Sequence, residues 1–111
     1  MVVLLLEGGQ RFLAEAQEAI RRQDPISRDC LANKVLAILT ELVNRLNGET
    51  GGDLVDNLVR VYGWWGEEVL AAASENDEHR LRVVAVQMGE IRKSWEQVLF
   101  GGEGLSENPE F

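Results

Sequence analysis

Cysteine, histidine and basic residues are scarce in this sequence of 111 residues, which has one Cys, one His and 11 Lys and Arg. A single cysteine, Cys30, excludes an internal disulfide, and Cys30 with His79 cannot complete a structural zinc site. The excess of acids, which gives a net charge of −8, argues against binding to nucleic acid or to an anionic membrane surface. No apolar run approaches the roughly 18 residues of a membrane span, so membrane insertion is not predicted.

Catalytic chemistry is poorly represented as well. No Glu-x-x-His pair is available for a metal site inside a helical bundle. No nucleophile, base and orienting group can be assembled from the motifs present. We therefore predict no enzyme activity, no catalytic residue, no metal, no cofactor and no small-molecule substrate. Cys30 is expected to be a small buried hydrophobe at the edge of its helix.

What the sequence does contain is four helical patterns and no strand-like alternation. The first two span about 2–23 and 25–47, the third ends near 75, and the fourth ends near 100. Asp24 is predicted to cap the second helix, with Pro25 at its first position. Asn76 or Asp77 caps the fourth. Short connections favour antiparallel neighbours. The predicted fold class is all-α, an antiparallel up-and-down four-helix bundle over residues 1–100, followed by a flexible acidic tail over 101–111.

Each helix has a main apolar stripe that is predicted to form the core. The stripes are Leu5, Phe12, Ala16, Ala19 and Ile20; Leu31, Val35, Ile38, Leu42 and Leu46; Leu54, Leu58, Val61, Trp65, Val69 and Ala72; and Leu81, Val84, Ala85, Met88, Ile91, Trp95 and Val98.

The second and third helices carry a second apolar stripe in addition to the first. Its members are Ala32, Leu36, Leu39 and Val43 on one helix, and Val55, Val59, Tyr62, Gly63, Gly66 and Leu70 on the other. Two interpretations are open. Both helices are central and touch two neighbours each, or the second stripes form a groove for a partner helix. Glycines on a contact stripe would allow close backbone approach in that groove and so offset their cost in helix stability.

The segment YGWWGEE contains two adjacent tryptophans, which cannot both face one core because neighbouring helical residues point about 100° apart. Trp65 falls on the main stripe and is predicted to be core. Trp64 falls opposite the second stripe and is predicted to face solvent. It is either a partner contact or a lid over aliphatic stems that stacks with Arg60.

Four motifs in order resemble the flagellin export chaperone family FliS. LLEGGQRFLAEAQEAI is similar to the family's first helix, with Gly8 matching, and LNGETGGDLVDNLVRVYGWW resembles its central signature. SEND is similar to its Asn-Asp turn, and EIRKSW to its closing Leu-Arg-x-x-Trp. This chain departs from the family pattern at Gly63 and Gly66, which replace what are usually larger residues. The chain also begins within the first-helix pattern, so the family's preceding arm is not expected.

The resemblance implies a cytoplasmic four-helix bundle that binds the C-terminal segment of flagellin, prevents its premature polymerisation and hands it to the flagellar export gate. The second stripes would then form the partner-binding groove. One alternative comes from a different class. HRLRVVAVQMG faintly resembles a histidine phosphotransfer domain, in which His79 would carry the phosphoryl group, although Val83 replaces an expected glycine and His79 lies in the first turn of its helix.

Overall fold

The computed structural model describes residues 2–47 and 52–97 and contains four α-helices there. These are α1 (Val2–Arg21), α2 (Pro25–Asn47), α3 (Asp53–Ser74) and α4 (Glu78–Glu96). The predicted all-α fold class is confirmed. α1 ends two residues earlier than predicted, and the predicted tail and the expected end of the fourth helix near Phe100 lie outside the described residues.

The helices form a ring in which each one packs against the helix before it and the helix after it, and α4 packs against α1. Antiparallel pairing is visible in the ion pairs between α1 and α4. Arg21 at the end of α1 contacts Glu78 at the start of α4, with 2.8 Å between Nε and Oε1. At the opposite end of the bundle, Arg92 contacts Glu7 at 3.4 Å. The architecture is therefore the up-and-down bundle that the short connections favoured.

α1 and α3 end in the same type of turn. Gln23 and Asn76 have positive φ angles of 57° and 56°, which is the left-handed conformation that commonly follows a helix. The backbone N–H of Asp24 and that of Asp77 each donate to the carbonyl five residues earlier, at 2.9 and 2.8 Å. These are Schellman bonds, which satisfy carbonyls at the helix ends.

The following helices start at the predicted caps. Asp24 accepts a hydrogen bond from the Ser27 N–H at 3.1 Å, and Asp77 accepts one from the Arg80 N–H at 3.2 Å. A hydrogen bond with the Ser27 side chain, and after it the bond from the Ser27 N–H, holds the pKa of Asp24 below its ordinary value. Pro25 occupies the first position of α2, where its missing N–H removes no intrahelical bond.

Residues 22–24 and 75–77 form the two turns, which lie at the same end of the bundle, called here the turn end. They are tied to each other by side chains. Arg28 donates from Nη1 to the side-chain oxygen of Asn76 at 2.8 Å, and Arg21 donates to Glu78. The first helical hairpin is thus joined to the second at this end.

The core is made largely by the predicted stripes. Side chains with no exposed surface are Leu6, Leu13, Ala19, Val35, Trp65, Val69, Ala72, Leu81, Val84 and Met88. Leu54 and Val98, also predicted as core, have side chains outside the described set.

In α1, Ala16 and Ala19 are buried as predicted, but the larger core residues lie one position later than predicted. Leu6 and Leu13 occupy the centre of the core, whereas Leu5 and Phe12 are half-buried and pack against it. Every position from Val2 to Leu6 is apolar, so hydrophobicity alone did not single out one face.

α1 and α4 pack closely along a seam that contains glycines. A Cβ on Gly9 would lie 2.9 Å from the sulfur of Met88, and a Cβ on Gly89 would lie 2.7 Å from Nε2 of Gln10. Gln10 is held in place, since its amide donates to an α4 carbonyl at 3.1 Å and its side-chain oxygen accepts from Arg92 Nε at 3.1 Å. These glycines are therefore part of the packing between α1 and α4.

Candidate functional site

The second apolar stripes of α2 and α3 face each other across the α2–α3 seam. Three of their members, Ala32, Leu39 and Tyr62, are only 2–4% exposed and belong to the core. They therefore lie at the floor of the α2–α3 seam rather than at its exposed edge, because each helix largely covers the stripe of the other. The first interpretation is thus correct in that α2 and α3 each touch two neighbours, although α1 and α4 do so as well.

A surface depression of about 270 Å³ remains at the outer edge of this seam. Half-buried Leu36 and Val43 line it from α2, and exposed Gly63 and half-buried Gly66 line it from α3. Its lining residues are Leu36, Leu39, Thr40, Val43, Asn44, Tyr62, Gly63 and Gly66. Six of the ten predicted groove residues are therefore brought together around one depression.

A second depression, of about 380 Å³, lies further along the same seam towards the turn end. Ala32 and Leu70 of the predicted set line it, and the Leu70 side chain is 52% exposed. Val55 and Val59 are half-buried on the same face of α3, but they line neither depression. The two depressions together are called here the α2–α3 groove.

The floor of the groove is anchored by Tyr62. Its ring lies 5.5 Å from that of Trp65 in a tilted arrangement, a geometry in which aromatic pairs attract. Burial raises the pKa of the Tyr62 phenol, and a hydrogen bond with the Trp95 side chain partly opposes that rise. The indole of Trp65 donates to the Gln87 side chain at 2.8 Å. These contacts fix α3 against α4, so the groove floor is held in one position.

Comparison with known proteins places this geometry in a family. The family model described as flagellar protein FliS matches residues 1–100. The chain belongs to the FliS family of flagellar secretion chaperones. It is 30% identical over 98 residues to the flagellar secretion chaperone FliSB of Pseudomonas aeruginosa, covering 88% of this chain and 78% of that protein.

Two other relatives agree with this membership. The flagellar secretion chaperone FliS of Campylobacter jejuni is 32% identical over 98 residues, covering 88% of this chain and 77% of the relative. The FliS of Vibrio cholerae is 28% identical over 99 residues, covering 88% and 72%. The resemblance seen in the sequence motifs is thus confirmed at the level of the family, and the matched region includes both helices of the groove.

Trp64 of this FliS-family chain lies on the opposite side of α3 from the groove. Its side chain is 44% exposed and lines a depression of about 720 Å³ between α3 and α4, together with Arg60 and Ile91. Among the described residues, cations lie over the ring of Phe12, and none lies over Trp64. The hypothesis of a lid stacked on Arg60 therefore has no support from this geometry.

Sequence reasoning missed the polar residues at the rim of the groove. Thr40 and Asn44 line the depression beside Gly66. They follow Leu36 at steps of four, so they lie on the same face of α2, and that spacing was a usable signal. A search for apolar stripes passes over such positions, because it counts hydrophobic residues alone.

Two sequence expectations outside the groove can now be assessed. Cys30 is exposed, so the expectation of a buried hydrophobe was wrong; it lies near the polar start of α2. His79 is exposed in the first turn of α4, and nothing in the described residues supports the phosphotransfer alternative.

Within residues 2–47 and 52–97, none of the helices has the length and apolarity needed to cross a bilayer.

Proposed function

We propose that this chain binds the C-terminal segment of flagellin in the α2–α3 groove, keeps it from polymerising in the cytoplasm and releases it to the flagellar export gate. The observation that carries the proposal is the convergence of eight predicted groove residues along one seam of a FliS-family bundle. The proposed action is binding, and no catalytic role is proposed for any side chain.

An amphipathic helix is the form of partner that this groove fits best. Such a helix would place its apolar side chains on Leu36, Val43 and Leu70, which retain exposed surface. A segment that is disordered when free loses conformational entropy on docking, and apolar burial is what can offset that loss. The chain's net charge of −8 offers little attraction to an acidic partner.

The direct test is calorimetric titration with a peptide of the flagellin C-terminal segment. Leu70→Glu should weaken binding by about tenfold or more, because a carboxylate would be buried against an apolar partner. Val86→Glu is the matched control, since Val86 lies on α4 and is 54% exposed, against 52% for Leu70. Equal binding by both variants and the parent would reject the groove as the binding site.

Two further readouts test the nature of the interaction. Affinity should change little between low and moderate salt, because exposed charges contribute little to an apolar contact. A tenfold loss over that range would instead assign binding to charged residues such as Arg60 and Glu67. In a polymerisation assay, an equimolar amount of the parent should delay filament growth by purified flagellin, and Leu70→Glu should not.

A further inference from the structure

Gly63 and Gly66 are not required by the packing of the bundle. A Cβ on Gly66 would lie 3.5 Å from Leu36 Cδ2 and 3.8 Å from Leu39 Cδ1, which is ordinary van der Waals contact, and a Cβ on Gly63 would meet nothing within 4 Å. Neither glycine has a positive φ angle. Alanine would therefore fit at both positions and would favour the helix. Another reason is needed for the glycines.

The depression beside Gly66 differs chemically from its neighbours. No charged side chain lines it. Four other depressions on the described surface each include charged residues, such as Glu15 between α1 and α2, Glu90 between α3 and α4, Asp24 at the turn end and Arg28 beside Leu70. An uncharged, apolar side chain is the occupant that these walls favour.

We propose that Gly63 and Gly66 form a notch that receives one large apolar side chain from the docked flagellin helix and so determines specificity for that side chain. The inference rests on the proposed function. The two glycines are three residues apart and hence adjacent on one face of α3. Side chains of one helix normally insert between those of its neighbour. With no side chain on either glycine, the inserted group can rest directly on the α3 backbone, with Leu36 and Leu39 beside it.

The first test fills the notch. Gly66→Leu should weaken binding of the flagellin C-terminal peptide by about tenfold to a hundredfold, as expected for overpacking a helix contact, while the free variant melts at or above the parent. Gly66→Ala should weaken binding by a smaller factor, and it should fold as the parent does because the added Cβ fits. The matched control is Ala14→Leu, which adds a larger side chain at an exposed position of α1 away from the groove and should leave binding unchanged.

The second test identifies the inserted group. Each large apolar residue of the peptide is shortened to alanine in turn, and every peptide is titrated against both the parent and Gly66→Leu. At one peptide position, the change to alanine should weaken binding to the parent about tenfold. The same change should weaken binding to Gly66→Leu much less, because that variant has already lost the contact.

The outcomes separate the two proposals. If the parent does not bind the peptide, the proposed function fails. If the parent binds but Gly66→Leu binds equally well, or no peptide position couples to Gly66, the notch is rejected and flagellin binding stands. If Gly66→Leu melts well below the parent, the glycine belongs to the packing of the bundle. A melting temperature of Gly66→Ala below that of the parent would lead to the same conclusion.

Discussion

The glycines of the α1–α4 seam and the glycines of α3 are the same residue placed in opposite surroundings. At Gly9 and Gly89 a Cβ would lie under 3 Å from a neighbouring side chain, whereas at Gly66 the shortest distance is 3.5 Å and at Gly63 nothing lies within 4 Å. The first pair lets two helices approach. The second pair leaves space at the surface, and that space is available to a partner.

The role of a glycine in a helix can therefore be inferred only from its neighbours in the folded chain. Each costs roughly 1 kcal/mol against alanine in a helix interior. On the α1–α4 seam, that cost is offset within the folded chain by close packing. On α3, no contact in the described bundle offsets it, so replacement by alanine should have opposite effects on the two sides.

The largest effect is expected where bulk is added to the buried seam. Gly9→Leu would drive a side chain into fully buried Met88, and overpacking of this kind should destabilise the fold by about 3 kcal/mol. For a domain of this size, that corresponds to a fall in the melting temperature of more than about 10 °C. Gly63→Leu is the control and should melt at or above the parent. Similar melting of the two variants would remove the distinction between the regions.

A smaller loss is expected at Gly89. Alanine there would displace the Gln10 amide, which donates to α4 and accepts from Arg92, and the lost hydrogen bonds should outweigh the gain in helix propensity by about 1 kcal/mol. The reason can be isolated with a double-mutant cycle. When Gln10 is already alanine, Gly89→Ala should become neutral or stabilising. Unchanged destabilisation in that background would show that Gln10 is not the obstacle.

On α3 the sign should reverse. Gly63→Ala should raise the free energy of unfolding by about 0.5 to 1 kcal/mol, because its Cβ is unobstructed and alanine is the better helix former. Gly66→Ala should stabilise by a similar amount, given ordinary contact with Leu36 and Leu39. Denaturant unfolding measures both values. If either variant is less stable than the parent, the space beside α3 is needed by the chain itself.

The smallest effect is expected for the ion pair between Glu68 of α3 and Arg80 of α4. Glu68 accepts two hydrogen bonds from Arg80, both at 3.0 Å, and these lower the pKa of the Glu68 carboxyl. Because the pKa of Glu68 is lowered in the folded state, its carboxylate stabilises the fold at pH values above its ordinary pKa of 4.5. This stabilisation is lost as the pH falls below that value. Glu68→Gln should therefore melt slightly below the parent at pH 7, and the gap should close in acid. A constant gap would assign the difference to packing.

Local signals explain why much of the fold was predictable from the sequence. Asp24, Pro25 and Asp77 act through hydrogen bonds and backbone angles within a few residues, so the sequence alone indicated where α2 and α4 begin. The core positions Leu81, Val84 and Met88 of α4 were also predicted, because they recur at steps of three and four.

The features of the fold and of the site that were not predicted depend on which helices are neighbours. Apolar periodicity placed Leu36 and Gly66 on second stripes, but it could not show that these stripes face each other or that Leu39 and Tyr62 lie beneath the surface. The space beside Gly66 and the crowding beside Gly9 likewise depend on side chains from another helix. Such facts arise from packing and have no local signature.

The ties at the turn end have a consequence for motion. Arg28 of α2 donates to Asn76 just beyond α3, and at the far end of the same two helices the backbone itself connects Asn47 to Gly52. Counted at about 1.5 Å per residue along α3, Gly66 lies roughly 12 Å from Ser74 and roughly 20 Å from Asp53. Both ends of the α2–α3 seam are therefore held together, so a partner has to fit the space beside Gly66 as it stands and does not gain room by hinging α3 away from α2.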